Sequence, residues 1–391
     1  MEKRILHFAN IFIPYISGTS VRISNLCANY NKHVIITEKK KSQKLNVEEI
    51  SNDKNFNIHR LNIRFRYGNF NFIKYYTLRY KIFTDYVMSN IDQQKIDVVY
   101  GHNPYEFAKA SYEYAEKFKK PFIYEVHGCM YDASTNYYRK IMNKSLEKKI
   151  MNSADIIVVQ TNSMLNRIIE IYNIDINKIH VIYNGINEDM YENIDKVETE
   201  NLTRRLSINN KFVVGYFGSL DTVNGIDRII KIFKERYINN SEVIFLLAGD
   251  GPLRMELESL SKEYSNLLYL GAISNSEIAI YYKLLNLFIL PRPSTMATET
   301  LLPMKLLEVM FGEIPILASD VKGITEVLND NNAVIFDKNS DNDLADSLDY
   351  CIKNYKEIFT QEKLKQSKRY VEQNFTWKNS QMKLNNIIKD L

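Results

Sequence analysis

The stretch Pro303-Met-Lys-Leu-Leu-Glu-Val-Met-Phe-Gly-Glu-Ile-Pro315 runs straight into Ile316-Leu-Ala. Its apolar residues recur at the spacing of one helix face. Proline suits the first turn of a helix, where its missing N–H costs nothing. Glycine suits the end of one, which fits Gly312. The spacing therefore predicts a short helix over 303–311, handing over to a strand at Ile314-Pro-Ile-Leu-Ala.

The same alternation extends in both directions. Lys211-Phe-Val-Val-Gly-Tyr-Phe-Gly reads as a strand entering a glycine turn, and Ile226 to Tyr237 as a helix. Val243-Ile-Phe-Leu-Leu-Ala-Gly-Asp-Gly-Pro is a strand and its turn. Leu268-Tyr-Leu-Gly, Leu287-Phe-Ile-Leu-Pro and Ala333-Val-Ile-Phe add further strands. In the first half, strands are predicted at Arg4-Ile-Leu-His-Phe, His33-Val-Ile-Ile-Thr, Asp97-Val-Val-Tyr, Pro121-Phe-Ile-Tyr-Glu-Val and Asp155-Ile-Ile-Val-Val. Helical stretches at Val21 to Tyr30 and Tyr105 to Lys119 separate some of them. Short, nearly continuous apolar runs are what parallel strands buried on both faces require. Alternation with helices implies βαβ units.

The pattern pauses between Asn187 and Asn210, a polar, acidic stretch that reads as a linker. The expected fold is α/β: two doubly wound, Rossmann-like domains facing a cleft, over residues 1–192 and 206–371. A C-terminal segment, 372–391, with a helix from about Met382 to Asp390, is expected to cross back onto the first domain. In such folds ligands bind at the carboxyl ends of the strands.

Length and composition agree. At 391 residues the chain favours two domains. Apolar residues make up 45% and charged residues 25%, ordinary for a protein with a sizeable core. No apolar run reaches the ~18 residues of a membrane span, and the start lacks a secretory signal, so a cytoplasmic protein is expected. Cys27, Cys129 and Cys351 lie far apart and suggest neither a zinc site nor a disulfide framework. Cys129 reads as a small residue packed beside a loop rather than a nucleophile.

The net charge of +4 decides nothing, but its distribution is uneven. Arg60, Arg64, Arg66, Lys74, Arg79 and Lys81 stand among seven aromatic residues, with no acid between them. This stretch, 60–81, reads as a solvated helix face over a buried aromatic stripe or as a dock for an anionic membrane surface. No nucleic-acid partner is expected.

The helix over 303–311 also carries chemistry. Free N–H groups at its start favour a phosphate, Lys305 adds a full charge, and Glu308 can accept two hydrogen bonds from a vicinal diol such as ribose. Phosphate beside diol describes a nucleoside diphosphate. The competing reading is an amphipathic helix whose Lys and Glu face water.

The segment resembles the signature of glycosyltransferase family 4, retaining enzymes of GT-B fold, and its Pro-x-Lys-x-x-Glu form is common in capsule and lipopolysaccharide branches. The likeness extends to Gly249-Asp-Gly-Pro252, to Ala154-Asp-Ile-Ile-Val-Val-Gln-Thr161 with Val181-Ile-Tyr-Asn-Gly185, to Phe217-Gly-Ser219 with Asn224-Gly-Ile-Asp227, and to Phe375 and Trp377. It spans about residues 4–385. It implies a nucleotide-diphosphate sugar as donor and a glycan or lipid-linked glycan as acceptor, with no cofactor and no metal. It places Glu308 on the nucleotide ribose, and Gly218, Ser219, Asn224, Gly249, Arg292, Thr300, Leu301 and Leu302 around the donor. His127 is placed near the donor sugar, with His102 a weaker candidate, and Gly18 and Thr19 in an acceptor or phosphate loop.

Two departures stand out. The family's first Glu falls at Thr300, with Glu299 one residue displaced, and Glu299 is expected to take its role. The family's Arg and Lys on the diphosphate fall at Ser219 and Asn224, so Lys305 and Arg292 are expected to supply the charge. Leaving-group stabilisation is mainly electrostatic, and some cation is needed. Asp341-Asn-Asp343 has metal-binding spacing but precedes a helix, where an N-cap is the better explanation. The absence of G-x-G-x-x-G after the first strand disfavours a dinucleotide dehydrogenase. A noncatalytic partner of a transferase pair and a GT-B epimerase remain as alternatives.

Overall fold

A computed structural model describes residues 2–15, 17–39, 50–62, 72–134, 136–191, 194–274, 276–329 and 331–391. The chain divides into two units, Met1–Asn184 with Trp377–Leu391, and Gly185–Thr376.

The first unit is built on strands β1 (Arg4–Phe8), β2 (Lys32–Glu38), β3 (Ile50–Asp53), β4 (Phe56–Leu61), β5 (Val98–His102), β6 (Phe122–Glu125), β7 (Ile156–Val159) and β8 (Ile179–Val181). They form one sheet in the order β3-β4-β2-β1-β5-β6-β7-β8. All neighbours are parallel except the β3–β4 hairpin. Ile5, Leu6, Phe8, Val99, Tyr100, Ile123 and Tyr124 are fully buried, as helices on both faces demand. The hairpin is absent from the sequence reading. Its β4 puts His59 and Arg60 at buried positions, so it carries no apolar run. Arg60 donates to the Ser51 hydroxyl (2.7 Å) and the Ile13 carbonyl (2.9 Å).

The second unit holds β9 (Phe212–Phe217), β10 (Val243–Ala248), β11 (Leu267–Tyr269), β12 (Leu287–Leu290), β13 (Ile316–Ser319) and β14 (Val334–Phe336). They form a parallel sheet in the order β11-β10-β9-β12-β13-β14. The helix read from the sequence at its joint runs Met304–Phe311, with Pro303 as N-cap and Gly312 as C-cap.

Three boundaries differ from the sequence reading. The polar stretch 187–210 holds a helix, Lys196–Arg205, and belongs to the second unit. Asp195 caps it through the Val197 N–H, and Leu202 is its one buried residue, too little apolar content to be seen as a helix. The units part at Asn184 rather than at 192. The last helix starts at Trp377, not Met382, and its neighbour Gln361–Asn374 stays with the second unit. That last helix is held to the first unit by Lys3 Nζ on the Ile388 carbonyl (2.7 Å) and Gln381 on the Asn25 carbonyl (2.6 Å).

Candidate active site

In the second unit the chain leaves β9 for β10 and β11 on one side, then returns to β12 on the other. Such a switch point opens a crevice at the carboxyl ends of the two strands. Tyr216 on β9, Gly218 after it, Arg292 after β12 and Lys305 in the helix Met304–Phe311 meet there. Lys305 Nζ donates to the Tyr216 hydroxyl at 3.0 Å and sits 4.7 Å from its ring centre. A Cβ on Gly218 would fall 1.8 Å from that nitrogen, so the ammonium lies directly against the glycine. Gly249 packs in turn on Gly218, whose carbonyl oxygen lies 1.7 Å from where a Gly249 Cβ would be.

Arg292 donates to the Leu301 carbonyl at 3.4 Å, while its Nε is buried without a partner among the described residues. Burial, then the neighbouring Arg292, pushes Lys305 down to about 8, although the side chain keeps some surface open to solvent. Neither cation pairs with a carboxylate among the described residues. Glu308 and Asp221 favour the Lys305 charge only from beyond ion-pair distance, and two cations this close are costly until an anion arrives. The start of the helix Met304–Phe311 adds no side-chain cap and no acid in its first turn, so its N–H groups face the same need.

Glu308, one turn on, accepts from the Tyr282 hydroxyl through Oε2 at 3.1 Å. Its other oxygen has no protein partner among the described residues. Burial raises its pKa, with Tyr282 and Lys305 opposing. Tyr191, edge-on to Phe311 at 5.2 Å, has a buried hydroxyl without a partner. Cation, helix start and carboxylate thus follow one another along a single helix.

The remaining donor candidates divide. Ser219 offers its carbonyl to the Tyr216 hydroxyl (3.2 Å) and to Asn224 (3.4 Å), and Asp221 Oδ1 holds the Asn224 N–H (2.8 Å) and amide (2.9 Å). Both residues shape their own loop. Thr300 donates back to the Met296 carbonyl (2.6 Å), Leu302 is core, and Leu301 is the carbonyl that Arg292 uses. Glu299 braces its surroundings. Oε1 takes the Ser294 hydroxyl (2.7 Å) and Lys338 (2.9 Å), and Oε2 takes the Lys322 N–H (3.0 Å). Both carboxylate oxygens are thereby engaged. Asp341 and Asp343 lie inside the first turn of the helix Asp341–Lys353, and the cap is Ser340, one residue earlier than read. Asp341 instead joins Arg228 and Lys231, both at 2.7 Å.

The first unit has its own switch point, between β1 and β5. A cavity of about 520 Å³ opens at their carboxyl ends, lined in part by Asn10, Thr19, Asn103, His127, Ser134 and Asn143. Gly18 and Thr19 are the first turn of the helix Gly18–Leu26, behind a capping box of Ser17 and Ser20. His127 stands at the rim with both ring nitrogens engaged: Nε2 with His102 Nδ1 at 3.1 Å and Nδ1 with the Gln160 amide at 3.0 Å. Both nitrogens thus have protein partners, and a ligand hydroxyl would reach His127 by displacing the Gln160 amide. Below it, Glu125 is buried against Arg22. Burial pushes that carboxyl up, but Arg22, His127 and His102 together outweigh it and hold it at about 2.

Cys129 is buried, its thiol 3.8 Å from the Met164 sulfur and raised by burial, so it is no nucleophile. Of the basic stretch 60–81, residues 63–71 lie outside the described residues. Arg60 and Arg79 are buried, and Arg79 pairs with Glu38 and Glu106 at 3.0 Å each. Those two arginines face no membrane. Sequence reasoning missed Tyr216 and Tyr282, since a tyrosine in an apolar run gives no sign that its hydroxyl reaches a lysine or a glutamate.

Comparison with known proteins completes the picture. Residues 18–190 match Glycosyltransferase Family 4, and residues 198–373 match Glycosyl transferases group 1. Alpha-monoglucosyldiacylglycerol synthase of Acholeplasma laidlawii is 25% identical over 281 residues, 67% of this chain and 69% of that one. A 41.2 kDa protein in the cps region of Klebsiella pneumoniae is 23% identical over 62% of this chain and 66% of its own. Among solved structures, sucrose-phosphate synthase from Thermosynechococcus elongatus superposes with a TM-score of 0.78 at 15% identity, over 100% of this chain and 99% of that one. Anabaena HepE in complex with UDP gives 0.77 at 15% identity over 100% of both. The fold is GT-B, and with its two halves matching the two glycosyltransferase families in turn, the chain belongs to the family 4-like glycosyltransferases.

Proposed function

We propose that the chain is a retaining transferase that moves a sugar from a UDP- or GDP-linked donor to a glycan or lipid-linked glycan acceptor, in the building of a surface polysaccharide. The observation that carries this reading is Lys305, near Arg292 and ion-paired with no carboxylate among the described residues, one helical turn before Glu308. The pair and the helix start would hold the diphosphate, and Glu308 the ribose. Charge at the departing diphosphate is then supplied by the protein itself, with no metal required. No side-chain base stands out beside the donor candidates, and the leaving diphosphate is the group suited to take the acceptor proton. Similar structures carry UDP, and one relative is named for a glycolipid product. Calorimetry with a panel of UDP- and GDP-sugars tests this. One nucleotide should bind at one site per chain, and Glu308→Ala should weaken it; unchanged affinity in that variant would sink the ribose assignment.

Peripheral membrane contact is part of the proposal, through 60–81 and through a second surface. The helix Tyr137–Ser153 exposes Tyr137 (71%), Tyr138 (80%) and Ile141 (51%) beside Arg139, Lys144 and Lys149. Its one acid, Glu147, is buried. Aromatic tips among cations suit an anionic headgroup layer, and Arg139 also lines the cavity of the first unit. Sedimentation with phosphatidylglycerol vesicles at low salt should depend on Lys144 and Lys149; equal recovery of a Lys144→Glu/Lys149→Glu variant would reject this surface.

A second reading, a noncatalytic nucleotide-sugar binder, is favoured by the engaged Glu299 and by the neutral Ser219 and Asn224. Binding without turnover across donors and acceptors would support it.

A further inference from the structure

Four of the six histidines of the chain stand in one row through the sheet of the first unit, His7, His33 and His102 buried and His127 partly exposed at its end. His33 Nδ1 meets His7 Nε2 at 2.9 Å, and His7 Nδ1 meets His102 Nε2 at 3.2 Å. His102 Nδ1 meets His127 Nε2 at 3.1 Å. Each contact holds one proton, and a neutral imidazole carries one proton on its two nitrogens. The row therefore has only two self-consistent arrangements, every ring Nε2–H or every ring Nδ1–H.

The direction is set outside the row. Arg22 can only donate, and its NH1 lies 2.9 Å from the Asn184 side-chain oxygen. The Asn184 amide nitrogen then donates to Gln160 Oε1 at 3.2 Å. Gln160 is left with its amide nitrogen toward His127 Nδ1, at 3.0 Å. His127 Nδ1 must accept, so its proton is on Nε2. It donates to His102, which donates to His7, which donates to His33. His33 Nε2 ends the row as a buried donor without a partner among the described residues.

We propose that Gln160 and Asn184 are positioning residues that transmit the donor direction of Arg22 to His127 and set the whole imidazole row in the Nε2–H form. His127 then keeps Nδ1 as a lone-pair acceptor at the cavity rim. A ligand group that displaces the Gln160 amide must be an O–H or N–H donor, which selects a neutral hydroxyl over an anion. This last consequence rests on the reading of His127 as a site residue; the tautomers do not.

The electrostatics agree. Burial holds His33 and His102 at about 3 and lowers His127. Burial, then His33 and His102, lowers His7. The charged and titratable groups beside the row are Glu125, Arg22, Tyr100 and Cys27. Glu125 Oε2 lies 3.4 Å from His102 Nδ1 and would prefer a proton there, but it already accepts from Tyr100 at 2.8 Å and pairs with Arg22. Two triplets, His7-Cys27-His33 and His102-Glu125-His127, have metal-compatible spacing. In the Nε2–H row, His7 Nε2, His127 Nε2 and His33 Nε2 bear protons and cannot ligate.

Nitrogen-15 NMR on histidine-labelled protein at pH 7 reads each tautomer directly. All four rings should show a protonated Nε2 and a bare Nδ1. Gln160→Glu replaces a donor by an acceptor and should convert all four to Nδ1–H, leaving His59 and His180 unmoved. Gln160→Met removes the donor; Glu125 should then draw a proton to His102 Nδ1 and convert the whole row, His127 included. A wild-type row in the Nδ1–H or charged form, or tautomers that ignore position 160, would overturn the proposal. Converted tautomers with unaltered preference between hydroxylic and anionic ligands in Gln160→Glu would remove only the consequence for His127.

Discussion

Substituting Gly218 by alanine should weaken nucleotide binding through Lys305. The methyl group would lie 1.8 Å from Lys305 Nζ and 2.8 Å from its Cε, so the ammonium must leave its place. A charge-assisted hydrogen bond contributes about 1.5–3 kcal/mol, which converts to a Kd raised roughly 10- to 150-fold. The backbone at φ +149° adds a stability cost of about 1–3 kcal/mol on its own. Calorimetry with the preferred nucleoside diphosphate separates the two effects, since stability is read by thermal melting and affinity by titration. Lys305→Ala removes both clashing atoms along with the charge. In that background Gly218→Ala should cost no further affinity, a coupling that a double-mutant cycle measures. Additive losses, or a Gly218→Ala protein whose Kd moves less than twofold, would refute the idea that this glycine exists to seat the lysine.

Other outcomes follow from the same geometry. Lys305 sits near 8 when folded, below its ordinary value of 10.5, because burial and Arg292 oppose its charge. Between those values the unfolded chain binds the proton more tightly, so this residue's contribution to stability rises with pH from 8 towards 10.5. A bound diphosphate should restore the proton, so binding at pH 8.5 should take up protons, measured by calorimetry in buffers of different ionisation enthalpy; Lys305→Arg should abolish the uptake. Glu299→Gln should lower the melting temperature by weakening the contacts to Lys322 and Lys338, yet leave nucleotide Kd within about twofold, as expected for a carboxylate whose oxygens already serve protein donors. Glu147, itself buried, accepts from the buried Tyr124 and Tyr172 and from the Met130 N–H. Glu147→Ala should cost about 3 kcal/mol or more in a denaturant melt by leaving those donors unmet.

The second unit was largely legible because its strands are uninterrupted apolar runs, as in Val243–Ala248, and its helix Met304–Phe311 is bounded by Pro303 and Gly312. Lys305 and Glu308 could be read because local spacing alone puts them near one helix start. What local spacing does not carry stayed hidden. The contact of Lys305 with Gly218 and Tyr216 joins positions almost ninety residues apart. Glu299 looks available in sequence, and only Lys322 and Lys338, brought in by the fold, show its bracing role. His7, His33 and His102 each appear as a polar residue in or at the end of a strand. Parallel pairing stacks them into a row, and no single strand announces it. Arg60 and Arg79 looked like surface charge because their partners, the Ile13 carbonyl, Glu38 and Glu106, lie on distant elements.

The central claim is transfer with retention from a nucleotide sugar. Incubating the protein with the donor it binds, a panel of glycan and lipid-linked acceptors, and no added metal, then assigning the new linkage by proton NMR, tests it most directly. The account predicts a product with the anomeric configuration of the donor and loss of product in Lys305→Ala. A product of opposite configuration, or a bound donor that no acceptor consumes, would contradict it.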